Sequence, residues 1–396
     1  MDPSFAHNSV NLDVLRRRAH NYRWAVHPPD VIPLTAADPD FPACPEVAQA
    51  IRRHLSEGYF PYGSPGGDDQ FKLAVASWYS RRKNSPVSEN LVLPVNSAAY
   101  GLFVCARMIC TNPGDEVLIP DPVDFLFRKS VEHAGGVAIP CKVNPETAEF
   151  DFESLSQKVN ARTRAIFICN PNNPLGRAIG KAELNRIILF AEKHGLWLVS
   201  DEIWADIDFD KKCRSVLDSG LEPYAKKLVV SGLSKNFALA GLRIGYIIAS
   251  DEQTWQSLLA CSLHQTTAFG IPLICQIAGT AALNEGEYWL EAFVRHLDKM
   301  RDKTSAFIAS CQFLEPRITG CTYLAFPKLK WKEANSTKTV EKILELSKVA
   351  LVPGGKEWFE SQSEGHIRIC FSTSEAILEE AFSRIKAIEH LLMPDQ

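Results

Sequence analysis

Apolar and polar positions along this chain follow two different periods. Short runs rich in β-branched and aromatic residues recur at Leu91-Val92-Leu93, Glu116 to Ile119, Ala165 to Cys169, Leu196 to Ser200, Leu228 to Ser231 and Ile244 to Ala249. They are apolar almost throughout, as strands buried on both faces are. Between them lie stretches with helical spacing. One opens at Pro45 and stops at Gly58, with proline in the first turn and glycine just past the last. A second runs from Asn96-Ser97 through Cys110, and a third from Ala182 to His194, stopping at Gly195. Strands alternating with helices predict a mostly parallel sheet covered by helices on both faces.

Past Glu285 the texture changes. A long amphipathic helix is expected over Tyr288 to Cys311, short strands over Cys321 to Phe326 and His366 to Phe371, and a last helix over Ser374 to Leu391. We read residues 45–285 as a large α/β domain and 286–396 as a smaller α+β domain, with 1–44 an N-terminal arm belonging partly to the latter.

Composition narrows the class of function. The chain has 396 residues, 46% hydrophobic and 23% charged, as globular proteins do. A net charge of −4 predicts neither nucleic-acid binding nor a polybasic membrane patch. No apolar run reaches the ~18 residues of a membrane span. The segment Met1-Asp2-Pro3-Ser4-Phe5 lacks the charged and apolar regions of a signal peptide. The 11 cysteines form no Cys-x-x-Cys pair, so a reduced cytoplasmic setting is expected, with Cys105, Cys110, Cys169 and Cys275 serving as small core residues.

Candidate chemistry gathers at the ends of the expected strands. Asn173 lies in Asn170-Pro171-Asn172-Asn173-Pro174-Leu175-Gly176, after Ala165 to Cys169. Asp201 follows Leu196 to Ser200, Lys235 follows Leu228 to Ser231, and Arg243 comes eight positions later. Singly, each is ordinary: a solvated lysine, a helix-capping aspartate, turn chemistry around proline. Ligands of open α/β sheets, however, bind beyond the carboxyl ends of the strands. An amine, a carboxylate, an amide and a guanidinium converging there match what pyridoxal phosphate (PLP) requires.

These residues resemble those of fold-type I PLP enzymes, in the class I/II aminotransferase superfamily. The resemblance spans nearly the whole chain, from Leu34-Thr35-Ala36-Ala37-Asp38-Pro39-Asp40-Phe41-Pro42 to Arg368. It rests on Asn-Pro-x-Asn-Pro-x-Gly, Asp-Glu-Ile and Ser-Lys-x-Phe-x-Leu-x-Gly-x-Arg, which together are highly specific. It implies a mostly parallel seven-stranded sheet flanked by helices, plus a smaller α+β domain. Lys235 then matches the Schiff-base lysine, Asp201 the partner of the pyridine nitrogen and Asn173 the donor to the ring oxygen. Arg243 and Ser234 match phosphate ligands, and Ser97-Ala98-Ala99 a phosphate loop at a helix start. Arg368 matches the arginine that grips the substrate α-carboxylate, with Ala37 and Asn173 beside it. Tyr62 matches a tyrosine reaching the phosphate of a neighbouring subunit, which implies a homodimer with a shared site.

Three positions depart from the family pattern. Trp204 stands where many relatives have a tyrosine to the ring oxygen. Gly232 replaces a phosphate-binding Ser or Thr, a role left to Ser231 or Ser234. Asp124 replaces the aromatic residue that stacks on the cofactor ring. Two readings of Asp124 stay open: it faces the bound cofactor or substrate and favours an extra cationic or polar group, or it caps a helix while Phe125 or Phe127 swings in.

The leading reading is an aminotransferase moving an amino group between an L-amino acid and a 2-oxo acid. A carbon–sulfur β-lyase resembling cystathionine β-lyase is the alternative, since Leu34 to Phe41, Gly58-Tyr59-Phe60 and Asp201 to Asp206 are similar to that branch. A PLP-binding regulator is the third, weakened by the joint retention of Lys235, Asp201 and Arg368. Specificity is expected in loops and in the N-terminal arm, including Tyr22 and Trp24.

Overall fold

The computed structural model describes residues 2–267, 269–331 and 334–393. The first strand, β1 (Ile32–Pro33), lies outside the main sheet. That sheet has seven strands: β2 (Val92–Val95), β3 (Glu116–Asp121), β4 (Val137–Lys142), β5 (Thr163–Cys169), β6 (Trp197–Asp201), β7 (Lys227–Gly232) and β8 (Gly245–Ile248), in the order β2-β8-β7-β6-β5-β3-β4. Strands β4, β3, β5, β6 and β7 are parallel, whereas β8 runs antiparallel to both β7 and β2. The sheet is therefore mixed but mostly parallel.

All six runs read as strands lie in this sheet, displaced by a residue or two at their ends. The seventh, β4, had no such signal. It is one of the two edge strands and the one with exposed positions, Val137 and Lys142, so its sequence lacks the continuous apolar run of its neighbours. The helices Pro45–Glu57, Ala98–Ile109 and Lys181–Lys193 match the periodic stretches. Gly58 ends the first in the left-handed conformation, at φ +72°. The inner strands are almost wholly buried: Val117, Leu118, Ile119, Ile166, Phe167, Leu198, Val199, Leu228 and Val229 have no exposed surface.

Beyond the main sheet, the helix Glu287–Ser310 precedes a three-stranded antiparallel sheet of β9 (Leu324–Ala325), β11 (Val352–Pro353) and β12 (Ile367–Cys370). The remaining strand, β10 (Val349–Ala350), pairs in parallel with β1, tying the N-terminal arm to the C-terminal part. The strand expected over Cys321 to Phe326 shrinks to β9. The last expected helix divides at Ile388 into Glu375–Ala387 and Glu389–Leu392, because Ile388 leaves helical geometry. Among the described residues no helix is long and apolar enough to cross a membrane.

Candidate active site

Ladder register fixes the site. Cys169 lies opposite Asp201, Asp201 opposite Val230, and Gly232 opposite Gly245. Because β8 runs antiparallel, its first residue meets the last of β7. Val95, at the end of β2, also pairs with Gly245 and leads into Ser97. Four chain segments thus open at one edge of the sheet. A cavity of about 550 Å³ lies there. Ala37, Ser97, Ala98, Ala99, Asp124, Asn173, Asp201, Ser234, Lys235, Arg243 and Arg368 all line it. Tyr62 does not; it sits in an exposed loop with 87% of its surface accessible.

Lys235 Nζ donates to the carbonyl oxygen of Ala37 at 2.6 Å, and that oxygen also accepts from Tyr323 Oη at 3.2 Å. Burial lowers the Lys235 pKa; the Asp38 and Asp124 carboxylates oppose the fall. Asp201 is buried beneath the cavity, with Oδ1 accepting from the Ile203 N–H at 3.0 Å. Burial pushes its pKa up to about 7, against the pull of that hydrogen bond. Its sequence neighbour Glu202 points elsewhere, accepting from Val216 N, Ser215 Oγ and Tyr79 Oη.

Arg368 is not on an edge. It lies on β12, the central strand of the small sheet, and only 5% of its surface is accessible. Its guanidinium donates to Asn173 Oδ1 and to the Thr35 carbonyl, each at 3.2 Å, while Nε is buried without a partner. Burial lowers its pKa, and Asp124 opposes this most strongly. Asn173 in turn donates through Nδ2 to Asp124 Oδ2 at 2.9 Å.

The helix Ala98–Ile109 begins at the cavity. Ser97 is its N-cap, accepting from the Tyr100 N–H at 3.1 Å, so the routine role of serine and the place beside the site coexist. A Cβ on Gly245 would lie 2.8 Å from Ser97 C and 2.9 Å from Ala98 N, so only glycine lets β8 approach this helix start. Gly232 is less confined: a Cβ there would lie 3.0 Å from the Ile244 carbonyl oxygen, a tight contact. Of the two candidate substitutes for a serine or threonine there, Ser234 lines the cavity while Ser231 does not.

Asp124 lies between a helix start and the cavity. Its Oδ1 accepts from the Leu126 N–H at 3.1 Å, at the start of the helix Leu126–His133. Its Oδ2 faces Asn173 in the cavity, and Phe125, Leu126 and Phe127 line the same wall. Burial raises the Asp124 pKa, while Arg368 opposes the rise. Trp204 brings a ring rather than a hydroxyl: Lys235 Nζ sits 5.6 Å from its centroid. Of the two arm residues expected near the substrate, Tyr22 lines the cavity. Trp24 does not; its Nε1 donates to the buried Asp40 at 2.7 Å, beside the Arg23–Asp40 ion pair. Trp358, which also lines the cavity, had no motif that marked it.

The donor set fits PLP. A helix N-terminus at a glycine-only approach, with Arg243 at its side, suits a phosphate. A buried carboxylate whose pKa burial pushes up to about 7 suits a protonated ring nitrogen. The orphaned Nε of Arg368 suits a carboxylate.

Known proteins carry the same plan. The family model "Aminotransferase class I and II" matches residues 29–385. A putative aminotransferase of Bacillus subtilis, YugH, is 31% identical over 371 residues, covering 91% of this chain and 92% of that protein. The cystathionine beta-lyase PatB of the same organism is 27% identical over 366 residues, covering 90% and 92%. The crystal structure of aspartate aminotransferase from Thermotoga maritima superposes with a TM-score of 0.80 at 25% identity, covering 95% of this chain and 94% of that one. This chain belongs to the aminotransferase class I and II family of PLP-dependent enzymes.

Proposed function

We propose that this enzyme moves an amino group between an L-amino acid and a 2-oxo acid, with Lys235 as the Schiff-base lysine. The observation that carries the assignment is the meeting of Lys235, Asp201 and Arg368 in one cavity, the first half-buried, the other two buried, and each with a different task. When bound, PLP supplies an aldehyde that condenses with amines and a ring that accepts the electron pair left at the substrate Cα. Ser97, Ala98, Ala99, Ser234 and Arg243 would hold its phosphate, Asn173 its ring oxygen and Asp201 its ring nitrogen. Arg368 holds the substrate α-carboxylate. Lys235, its pKa lowered by burial, would take the proton from the substrate Cα and hold it for return. The Ala37 carbonyl oxygen, 2.6 Å from Nζ, orients that amine.

The active unit we propose is a homodimer acting in the cytoplasm. Tyr59, Phe60 and Tyr62 are 78%, 65% and 87% exposed, an apolar run with no cover within one chain. Tyr62 would reach the phosphate bound by a second copy. Residues 45–285 would form the cofactor-binding domain, and 286–396 with the arm 1–44 the smaller one.

The similarity to PatB and Trp204 in place of a tyrosine favour a second reading, a carbon–sulfur β-lyase. One experiment separates the two. The purified protein should show a visible band of covalently held cofactor, absent in Lys235→Ala. Adding amino acids without an acceptor should bleach the band and release a 2-oxo acid with no ammonia. A retained band with release of 2-oxo acid and ammonia from cystathionine would establish the lyase instead.

A further inference from the structure

The cavity wall facing the sheet combines a half-buried carboxylate, Asp124, with aromatic rings. We propose that Asp124, Tyr22, Phe125 and Trp358 form a side-chain subsite that takes amino acids ending in a cationic group and rejects acidic ones. The proposal rests on the amino-transfer reading for the tasks of Lys235, Arg243 and Arg368, the last as the holder of the α-carboxylate.

The subsite is built rather than accidental. The Val123 N–H donates to the Phe359 carbonyl at 3.2 Å and the Phe125 N–H to the Trp358 carbonyl at 2.9 Å. Asp124 therefore lies on a segment laced to the chain that carries Trp358. Asp121 strengthens the lacing by accepting from Ser361 Oγ at 2.7 Å and from the Gln362 N–H at 2.9 Å. Tyr22 stacks on Trp358, with centroids 5.6 Å apart and planes at 22°, and Phe125 meets Trp358 edge-on at 6.1 Å. Tyr22 holds a left-handed backbone, at φ +51°, and its carbonyl accepts from Thr35 Oγ1. A non-glycine residue kept in that conformation is held there by its surroundings. Here the result is a ring at the cavity mouth.

Charge then decides what this wall accepts. Both hydrogen bonds to Asp124 come from neutral groups, the Leu126 N–H and the Asn173 amide. An ionised carboxylate offers about four acceptor positions, so about two remain for a ligand. The cationic side chains lining the cavity are Lys235, Arg243 and Arg368, and each has a task in the proposed reaction. Among the described residues of one chain none is left for an acidic side chain, which would also meet Asp124. An ammonium or guanidinium group gains from the carboxylate and from the aromatic faces together.

The test uses the PLP-loaded enzyme and two series. The first is hexanoate, 6-aminohexanoate and hexanedioate, which carry no α-amino group for transfer; binding is followed by calorimetry, with the visible band checked for condensation of the 6-amino group. The second is turnover of lysine, norleucine and 2-aminoadipate. We expect 6-aminohexanoate to bind about 10-fold tighter than hexanoate, and lysine to exceed norleucine about 10-fold in kcat/KM. In Asp124→Asn both ratios should fall to within about 3-fold. Trp358→Leu should raise the lysine KM more than the norleucine KM. Preference for the diacid or 2-aminoadipate, or an equal loss for all ligands in Asp124→Asn, would overturn the subsite. Equal loss would reduce Asp124 to a positioning residue for Asn173. Cation-selective binding without turnover of any amino acid would leave the subsite and remove the amino-transfer reading; turnover without cation preference would do the reverse.

Discussion

The two walls of the cavity are built by different forces. On the sheet side, Asp201, Ser234, Lys235 and Arg243 come from consecutive strand ends, set side by side by main-chain ladders. On the opposite side, Tyr22, Asp124, Trp358 and Arg368 come from distant parts of the chain. They are joined by ring contacts, the Asp124–Asn173–Arg368 chain of hydrogen bonds, the Arg128–Glu360 ion pair at 2.8 Å and isolated main-chain bonds such as Phe125 N–H to the Trp358 carbonyl. A ladder fixes positions through every residue, so it tolerates varied side chains but little change in backbone spacing. A wall of side-chain contacts is set residue by residue and can vary its specificity. The first wall would hold a constant cofactor, the second a variable substrate.

Arg368→Ala should give the largest contrast between the walls. Removing one partner of a buried charge-assisted pair costs about 3 kcal/mol, a loss of about 100-fold in kcat/KM, carried mainly by KM. The visible cofactor band should persist. Loss of the band together with activity would mean that Arg368 supports the cofactor as well, and the division would fail.

Gly245→Ala should act in the reverse sense. The new methyl group would collide with main chain at Ser97 and Ala98, which cannot rotate away as a side chain can. Overpacking of about 1–2 kcal/mol should weaken PLP affinity about 10-fold by absorbance titration, with the ratio of substrates unchanged. A shift in substrate preference would show that the walls are coupled.

Tyr62→Phe should have the smallest effect, a loss of about 1 kcal/mol or about 5-fold in PLP affinity for one hydroxyl donor. The sharper check is mixing: Tyr62→Ala and Lys235→Ala subunits, each impaired alone, should recover one intact site per mixed dimer. No recovery would make the sheet-side wall complete within one chain.

Chain pattern alone determined much of the sheet-side wall. Buried parallel strands must be apolar throughout, so they stand out, and their carboxyl ends locate a ligand site without coordinates. Asn173, Asp201, Lys235 and Arg243 were legible for that reason. Strand β4 was not, because an exposed edge strand escapes the apolar demand. The placement of Tyr22 rather than Trp24 at the cavity, the place of Ser234 rather than Ser231 on its lining, and the company of Asp124 were decided only by the tertiary structure. Each depends on contacts between segments with no fixed spacing, such as Tyr22 with Trp358 or Asp124 with Arg368, and no local period records them. A sequence specifies its ladders through repetition; it specifies a side-chain wall only through the packed fold that brings those segments together.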